Sequence, residues 1–405
     1  MANSPDQQEI HKLLTLFNQG RNAEAETIAR SMTSRFPLWG FGWKALGAVQ
    51  KQLGRNADAL KTMQIATKLA PGDAEVHSNL GTVLHELGNI EEAAASCRRA
   101  LKIRPNFAEA HNNLGISLVD LGQLSEAEAC FRRALEFRPL FSAAYFNLHA
   151  LLMQSDDLTP AIKCMEKAVE IDPSSDERRF FLGMLLDYTG NYRAAEEQFA
   201  IVASGADLYR AKLDAWRYLE SACKTRPLIT GSSTQTFKLA VDIAVNDGLV
   251  LEFGVRFGTS IRQIAGMVEQ EVHGFDSFEG LPEQWNDESK GSYSTHGELP
   301  DVPGNVHLHA GWFEDTLPEF LKSHSAPVRL MNIDCDIYSS TKTVLDLLSN
   351  RVVPGTVIVF DEYIGNEHWR DDEFRAFQEA VVTHDWHYRY VSFSFFTKQV
   401  VVQIV

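Results

Sequence analysis

Acidic residues that follow two short apolar runs in the second half of the chain are the first candidates for chemistry. Asp334 and Asp336 follow VRLMNI, and Asp361 and Glu362 follow TVIVF. If both runs are parallel strands, these carboxylates meet at the edge of the sheet where ligands bind. Crowded carboxylates repel one another unless a cation holds them or a proton neutralises one. Because an all-oxygen ligand set suits Mg²⁺, Asp334, Asp361 and Glu362 are predicted to bind magnesium.

A glycine-rich turn follows an earlier apolar run, in the segment Glu252-Phe-Gly254-Val-Arg-Phe-Gly258-Thr-Ser260. Glycines let the backbone turn sharply and approach a ligand, and a helix N-terminus follows at once. A phosphate loop would need Gly-Lys-Ser/Thr here, and a dinucleotide fold would prefer G-x-G-x-x-G. Asp276 ends the next run, 24 residues after Glu252. A carboxylate there can hold both ribose hydroxyls of a nucleotide, or it can cap a turn.

Several other side chains are candidates with a structural alternative. His368 follows the acidic pair at 361–362 and is an alternative catalytic base, although a lone histidine is more often a surface or packing residue. Trp312 can flank an adenine ring or fill the core. Asp336 is interpreted as a cap of the helix predicted near Ser339. Three more histidines are weaker candidate bases: His296, His307 and His309.

Short β-branched runs alternate with helical patterns from Leu249 onwards. The runs are LVLEFGV, HGFDSF, NVHLHA, VRLMNID, TVIVFDEY, YRYVSF and QVVVQIV. This alternation predicts an α/β domain over residues 249–405, with a largely parallel sheet covered on both faces. The long polar stretch 283–303 is predicted to be a lid over the site.

The first half of the chain carries a 34-residue repeat. Two ladders of single residues follow this period, with Asp156 replacing one glycine: Pro37, Pro71, Pro105, Pro139, Pro173, and Gly20, Gly54, Gly88, Gly122, Gly190. Each unit reads as a helix, a glycine turn, a second helix and a closing proline. The pattern resembles the tetratricopeptide repeat and implies an α-solenoid of about six units over residues 1–205. Residues 206–248 are predicted to be a helical connector, either plain or forming a cap over the site.

Asn79, Asn113 and Asn147 recur at one position of three successive first helices. In the tetratricopeptide family this position faces the concave groove, and the set resembles the asparagine ladder of O-linked N-acetylglucosamine transferases. An Asn amide can pair with the backbone of an extended peptide, which makes these residues a candidate groove for a peptide or protein partner. The alternative is that they bond to neighbouring helices and stabilise the stack.

Four segments, in this order, resemble the macrocin-type sugar O-methyltransferases: FDSFEGLP, AGWFEDTLP, IDCDIYSST and PGTVIVFDEY. The segment E-x-G-x-x-x-G-x-S resembles the first motif of class I S-adenosylmethionine methyltransferases, which have a Rossmann-like fold. The resemblance covers roughly residues 230–395. It implies an S-adenosylmethionine site formed by Glu252, Gly254, Gly258, Ser260, Asp276, Ser277 and Trp312.

The same resemblance implies magnesium at Asp334, Asp361 and Glu362, with Asp334 as the base. This family usually carries Asp-Asp where this chain has Asp361-Glu362, so the second ligand is one methylene longer. The leading hypothesis is therefore a metal-dependent O-methyltransferase acting on a sugar hydroxyl, free or on a carrier that the repeats recruit. A methyltransferase acting on a peptide held in the groove comes second. A non-catalytic scaffold comes third, and the intact cofactor positions argue against it.

Composition and charge bear on the partners and the location of the protein. The net charge of −16 argues against nucleic acid as a partner, because phosphates would be repelled. No segment approaches the run of about 18 apolar residues expected of a membrane span, and the N-terminus does not resemble a signal peptide. The five cysteines form no CxxC pair, which predicts free thiols and a cytoplasmic protein. A homo-oligomer is compatible with this sequence.

Overall fold

A computed structural model describes residues 5–153, 155, 157–223, 225–245 and 247–405. Asp156, the exception in the glycine ladder, lies outside these residues. The chain forms two compact units, Met1–Ala144 and Tyr145–Val405. In the described residues, no helix has the length and apolar character needed to cross a bilayer.

The first unit consists of helix pairs joined by glycine turns. Gly20, Gly54, Gly88 and Gly122 each have a positive φ, between 70° and 74°, which an L side chain adopts only with strain. The pairs pack through small residues such as Ala59, which is fully buried. The helices are α1 (Gln7–Asn18), α2 (Asn22–Arg35), α3 (Gly40–Gln52), α4 (Asn56–Leu69), α5 (Ala74–Glu86), α6 (Ile90–Ile103), α7 (Ala108–Asp120) and α8 (Leu124–Phe137).

The second unit begins with helices that continue the repeat pattern. They are α9 (Ser142–Leu152, whose first three residues belong to the first unit), α10 (Thr159–Ile171), α11 (Asp176–Tyr188) and α12 (Tyr192–Val202), followed by α13 (Asp207–Ala222) and α14 (Ser233–Ile243). These helices share one core with the sheet. Phe180 of α11 lies 5.0 Å from Phe395, ring centre to ring centre, and Trp216 of α13 donates a hydrogen bond to Asp187. The packing boundary therefore falls after Ala144, whereas the sequence pattern changes near residue 205.

The sheet is mostly parallel, with strand order β1-β7-β8-β6-β5-β2-β3-β4. Its strands are β1 (Leu228–Ile229), β2 (Leu249–Phe253), β3 (Val272–Asp276), β4 (Val306–Ala310), β5 (Val328–Ile333), β6 (Val357–Phe360), β7 (Tyr388–Phe393) and β8 (Val400–Ile404). Strand β8 runs antiparallel to both of its neighbours. All the predicted runs form strands, and the short β1 is an addition that the sequence patterns did not indicate.

Helices α15 (Thr259–Ala265), α16 (Phe313–Ser323), α17 (Tyr338–Leu348) and α18 (Glu373–Thr383) complete the α/β part. Strand β2 pairs with β3 on one side and with β5 on the other. The strand order therefore reverses at β2, and the carboxyl ends of β2 and β5 flank the crevice where such sheets bind ligands.

Candidate functional site

The turn after β2 depends on glycine because two strand ends approach each other there. Gly254 has a φ of 94°, and a Cβ atom on it would lie 1.7 Å from the carbonyl oxygen of Asp334. The amide of Asp334 in turn donates to the carbonyl of Phe253 at 2.8 Å. Any side chain at position 254 would therefore push the end of β5 away from β2.

Glu252 lies beneath this turn and is fully buried. Its Oε1 accepts hydrogen bonds from Asn332, at 3.1 Å, and from Ser260. Burial raises the pKa of Glu252 to about 8, so it is a neutral acid at pH 7. Glu252 and Ser260 thus support the loop from below, and neither lines the cavity described next. Gly258 directly precedes α15 with a φ of 75° and does not line the cavity either.

Asp276, at the end of β3, organises the same turn from the other side. Its Oδ2 accepts from the amides of Val255 and Arg256 at 2.8 and 2.7 Å, and its Oδ1 accepts from the amide of Phe278 at 2.6 Å. A carboxylate has about four accepting positions, so these bonds leave room for about one more donor, on Oδ1. In this arrangement Asp276 can accept from one ribose hydroxyl rather than from two.

A cavity of about 680 Å³ opens at the carboxyl ends of β2, β3, β5 and β6. This volume lies in the range of sites for small molecules, about 300–1,000 Å³. One part is lined by predicted cofactor residues, Gly254, Asp276, Ser277 and Trp312. The other part is lined by the acidic residues Asp334, Asp336, Asp361 and Glu362, together with Lys398.

The predicted metal ligands are brought to this cavity but are held by other side chains. Lys398 Nζ lies 2.8 and 3.0 Å from the two carboxylate oxygens of Glu362. Gln399 Nε2 donates to Asp361 Oδ1 at 2.6 Å. Within the described ranges, no group of three or more His, Cys, Asp or Glu side chains is arranged to hold a metal ion.

The two acidic residues after β5 have no such partner among the described residues. Burial, and then the charge of Asp361, raises the pKa of Asp334 well above its usual value. Burial and the charge of Glu362 raise the pKa of Asp336 to about 7. Asp336 has a φ of 63°, and the residue that caps α17 is Ile337, without a side-chain cap. The interpretation of Asp336 as a helix cap is therefore wrong.

The candidate histidines lie away from the cavity lining. His368 is exposed, in the segment between β6 and α18, and His296 is exposed in the stretch after β3. His307 lies 3.4 Å from Glu271 on the exposed side of β4. His309 stacks on Phe275, with ring centres 4.5 Å apart, in a packing role.

The stretch 283–303 covers part of the cavity with Trp285 and Tyr293. Trp285 Nε1 donates to Asp372 Oδ2 at 2.9 Å. The Arg256 guanidinium lies 4.9 Å from the centre of the Tyr293 ring. These residues, like Lys398, were not identified from the sequence. Aromatic residues in a long polar stretch were the available signal for Trp285 and Tyr293, whereas Lys398 follows no motif.

The asparagines of the repeats divide between the two interpretations. Asn113 Nδ2 donates to Ser78 Oγ at 3.1 Å and to Thr82 Oγ1 at 3.2 Å, so it bonds to the neighbouring helix. Asn79 and Asn113 also line a cavity of about 640 Å³ in the first unit. Asn147 lies in the second unit and is half-buried.

Comparisons with known proteins match both halves of the chain. A family model for a methyltransferase domain matches residues 251–363. Two tetratricopeptide repeat models match residues 73–139 and 112–176. The methyltransferase match ends before β7 and β8, so Lys398 lies outside it.

A curated relative from Streptomyces olivaceus is 30% identical over 154 residues, which cover 30% of this chain and 57% of the relative. It is 8-demethyl-8-(2,3-dimethoxy-alpha-L-rhamnosyl)-tetracenomycin-C 4'-O-methyltransferase. The chain therefore spans little more than half the length of this relative.

Solved structures similar to the chain include those of PilW and PilF. PilW, a type IV pilus biogenesis factor, is 22% identical, with 50% of this chain and 94% of PilW covered and a TM-score of 0.44. PilF of Pseudomonas aeruginosa is 18% identical, with 53% and 96% covered and a TM-score of 0.46. Likeness at this level carries no functional argument. From the family models and the fold together, the chain consists of tetratricopeptide repeats followed by a methyltransferase domain.

Proposed function

We propose that this protein is an S-adenosylmethionine-dependent O-methyltransferase whose acceptor is a sugar hydroxyl. The observation that carries the proposal is one cavity that is lined both by predicted cofactor residues and by four carboxylates, of which Asp334 and Asp336 are unpaired among the described residues. The curated relative is an O-methyltransferase of a rhamnosyl compound, which supports both the oxygen acceptor and the sugar.

The cofactor part of the cavity fits S-adenosylmethionine. Asp276 keeps one accepting position on Oδ1 for a ribose hydroxyl, and Trp312 presents an aromatic ring at the cavity wall. Gly254 and Gly311 also line the cavity, and neither places a side chain in it. When bound, S-adenosylmethionine supplies a methyl group on a positively charged sulfur, which is reactive toward an oxygen nucleophile.

The acceptor part contains the groups that an alcohol needs. A hydroxyl is a weak nucleophile until a base removes its proton, and general-base catalysis commonly contributes about 10²–10⁴ in rate. Asp334 and Asp336 line the cavity and are not engaged by other described side chains. We assign the proton acceptor to Asp334, with Asp336 beside it as the alternative. Both are better placed than His368, which is exposed and outside the cavity lining.

Magnesium is not part of the proposed mechanism. Two of the three carboxylates that would bind it, Glu362 and Asp361, accept from Lys398 and Gln399, so the donor set does not fit a Mg²⁺ ion, which prefers near-octahedral oxygen ligands. The acceptor hydroxyl is instead oriented by hydrogen bonds to the carboxylates, one of which Lys398 holds in place.

The tetratricopeptide repeats are proposed to recruit a protein or peptide partner, or a carrier of the sugar. The cavity lined by Asn79 and Asn113 supports this role, because it also presents polar and charged groups such as Arg104 and Glu109. It equally supports the second candidate, in which a peptide bound there is itself methylated.

The test is methyl transfer from S-adenosylmethionine to a panel of methyl glycosides that includes an α-L-rhamnoside, and to glycopeptides, read by mass spectrometry. Transfer to a sugar oxygen, abolished in Asp334→Asn, supports the proposal. Transfer to a peptide side chain alone would favour the second candidate. No transfer and no binding of S-adenosylhomocysteine would contradict both.

A further inference from the structure

The turn between β7 and β8 is held in one conformation by its own side chains. The amide of Ser394 donates to the carbonyl of Gln399 at 2.8 Å, and the amide of Thr397 donates to Ser394 Oγ at 3.0 Å. Thr397 Oγ1 also donates to Gln399 Oε1 at 2.9 Å. Between them, Lys398 has a φ of 61°, a conformation that costs an L side chain energy. The turn therefore fixes where the Lys398 and Gln399 side chains begin.

These consecutive side chains meet consecutive carboxylates at the end of β6. Lys398 bonds to both oxygens of Glu362, and Gln399 bonds to Asp361. The Lys398 side chain is 41% exposed, whereas that of Glu362 is only 13% exposed, so the contact closes the inner wall of the cavity. The acid pair that resembles a metal site is thus engaged by one rigid turn.

Glycine at position 365 makes room for this contact. Gly365 has a φ of 93°, and a Cβ atom there would lie 3.1 Å from Lys398 Cγ and 3.8 Å from Lys212 Cε. The aliphatic parts of the Lys398 and Lys212 side chains therefore both pass close to Gly365. Lys212 is buried on α13, and its ammonium faces the rings of Phe181 and Tyr209.

The Lys398 ammonium pairs with the Glu362 carboxylate without a metal. Opposite charges within about 4 Å attract strongly where water is excluded, and like charges repel with the same dependence on distance. An ion bound to Glu362 at about 2.1 Å, the usual Mg²⁺–oxygen distance, would stand close to the Lys398 ammonium, which already contacts both oxygens.

We propose that Lys398 is the resident cation of this site and takes the place of a divalent metal, so that the chain performs its reaction without magnesium. The inference rests on the proposed function for the reaction itself, but the occupation of the site by Lys398 can be tested without any turnover. Lys398 acts here as a positioning residue: it holds Glu362 and neutralises one of the crowded carboxylates.

The test is a Mn²⁺ titration of the full chain, after dialysis against a chelator, followed by electron paramagnetic resonance. The wild type, Lys398→Ala and the double variant Lys398→Ala/Glu362→Asp are compared, because the double variant restores the Asp-Asp pair and removes the ammonium. The control is Lys238→Ala, which removes an exposed lysine that pairs with Asp242 on α14.

We expect no stoichiometric Mn²⁺ binding in the wild type and in Lys238→Ala, and one bound ion in each variant that lacks Lys398. Lys398→Met, which keeps most of the aliphatic stem, replaces Lys398→Ala if circular dichroism finds the alanine variant unfolded. Stoichiometric Mn²⁺ binding by the wild type would overturn the proposal. So would the absence of binding in folded variants that lack Lys398, because Lys398 would then not be what fills the site.

A second readout uses the reaction. If the wild type transfers methyl groups, its rate is expected to be unchanged by a chelator. A rate that falls to background with the chelator and returns with Mg²⁺ would overturn the proposal while leaving the methyltransferase function intact. If the wild type transfers no methyl groups, the Mn²⁺ titration still tests whether Lys398 occupies the site.

Discussion

The backbone amide of Arg256 donates to Oδ2 of Asp276 at 2.7 Å, so the end of β3 fixes the turn that follows β2. The neighbouring amide of Val255 donates to the same oxygen at 2.8 Å. The glycine turn and the Asp276 carboxylate were predicted separately as cofactor contacts. These hydrogen bonds join them, so they form one structural unit. A substitution at Asp276 changes both.

Asp276→Asn is expected to weaken S-adenosylhomocysteine binding and to lower the free energy of unfolding. An Asn side chain has only one accepting oxygen, so either the Val255 and Arg256 amides or the Phe278 amide loses its acceptor. A buried donor left without a partner costs about 1–3 kcal/mol. Calorimetric titration and guanidinium unfolding measure the two effects. Asp287→Asn, at an exposed position of the stretch 283–303, is the control and should change neither. Unchanged stability in Asp276→Asn would mean that the turn does not depend on this carboxylate.

Gly254→Ala is expected to destabilise the protein far more than Gly297→Ala. Both glycines have a positive φ, 94° and 78°. A Cβ atom at 254 would clash with the Asp334 carbonyl at 1.7 Å, whereas at 297 it would meet nothing within 4 Å. Backbone strain alone costs about 1–3 kcal/mol, so Gly297→Ala should show that and no more. Equal losses in thermal unfolding would contradict the close approach of β2 and β5.

Glu252→Gln is expected to change how stability depends on pH. The pKa of Glu252 is about 8 in the folded chain, against an ordinary value of 4.5. Between these values the folded state keeps a proton that the unfolded state loses, so stability falls as pH rises, by up to about 1.4 kcal/mol per pH unit. The isosteric amide cannot titrate and should remove this part of the slope.

Guanidinium unfolding of the wild type and Glu252→Gln at pH 5 and pH 8 tests this. The variant should gain stability relative to the wild type at pH 8. A difference between the two proteins that stays the same at both pH values would mean that Glu252 is ionised in the folded chain.

Trp285→Phe is expected to raise KM for the acceptor more than it lowers kcat. The substitution keeps a ring over the cavity but removes the 2.9 Å hydrogen bond that joins the stretch 283–303 to Asp372. A hydrogen bond to a charged group contributes about 1.5–3 kcal/mol, which predicts an increase of tenfold or more. Asp372→Asn should weaken the same contact, and Asp371→Asn, an exposed neighbour, should behave as the wild type. A loss confined to kcat would place Trp285 in the chemical step instead.

Much of this architecture could be predicted from local patterns. The glycines at 34-residue spacing have the positive φ expected of helix ends, and each β-branched run from Leu249 onwards is a strand. Both features depend on local residue preferences, of glycine for helix ends and of β-branched residues for strands. Asp334, Asp361 and Glu362 were correctly expected at one edge of the sheet, because the ends of neighbouring parallel strands meet there.

The parts that could not be predicted depend on contacts between distant segments. Lys398 reaches Glu362 across 36 positions and through a turn with no motif. Asp336 was interpreted as a helix cap, since a Ser-Ser-Thr run follows it, but its backbone conformation turns it to the cavity instead. The packing of α9–α12 with the sheet was equally hidden, because the proline ladder continues past Ala144 to Pro173.

The most direct test of the whole account is calorimetric titration of the full chain with S-adenosylhomocysteine, in the presence of a chelator. We expect micromolar binding of one molecule per chain, lost in Asp276→Ala and retained in Lys238→Ala. If the wild type binds S-adenosylhomocysteine neither with the chelator nor with added Mg²⁺, the assignment of the cavity as a cofactor site is contradicted. Binding that appears only with Mg²⁺ would keep the cofactor site and contradict the role given to Lys398.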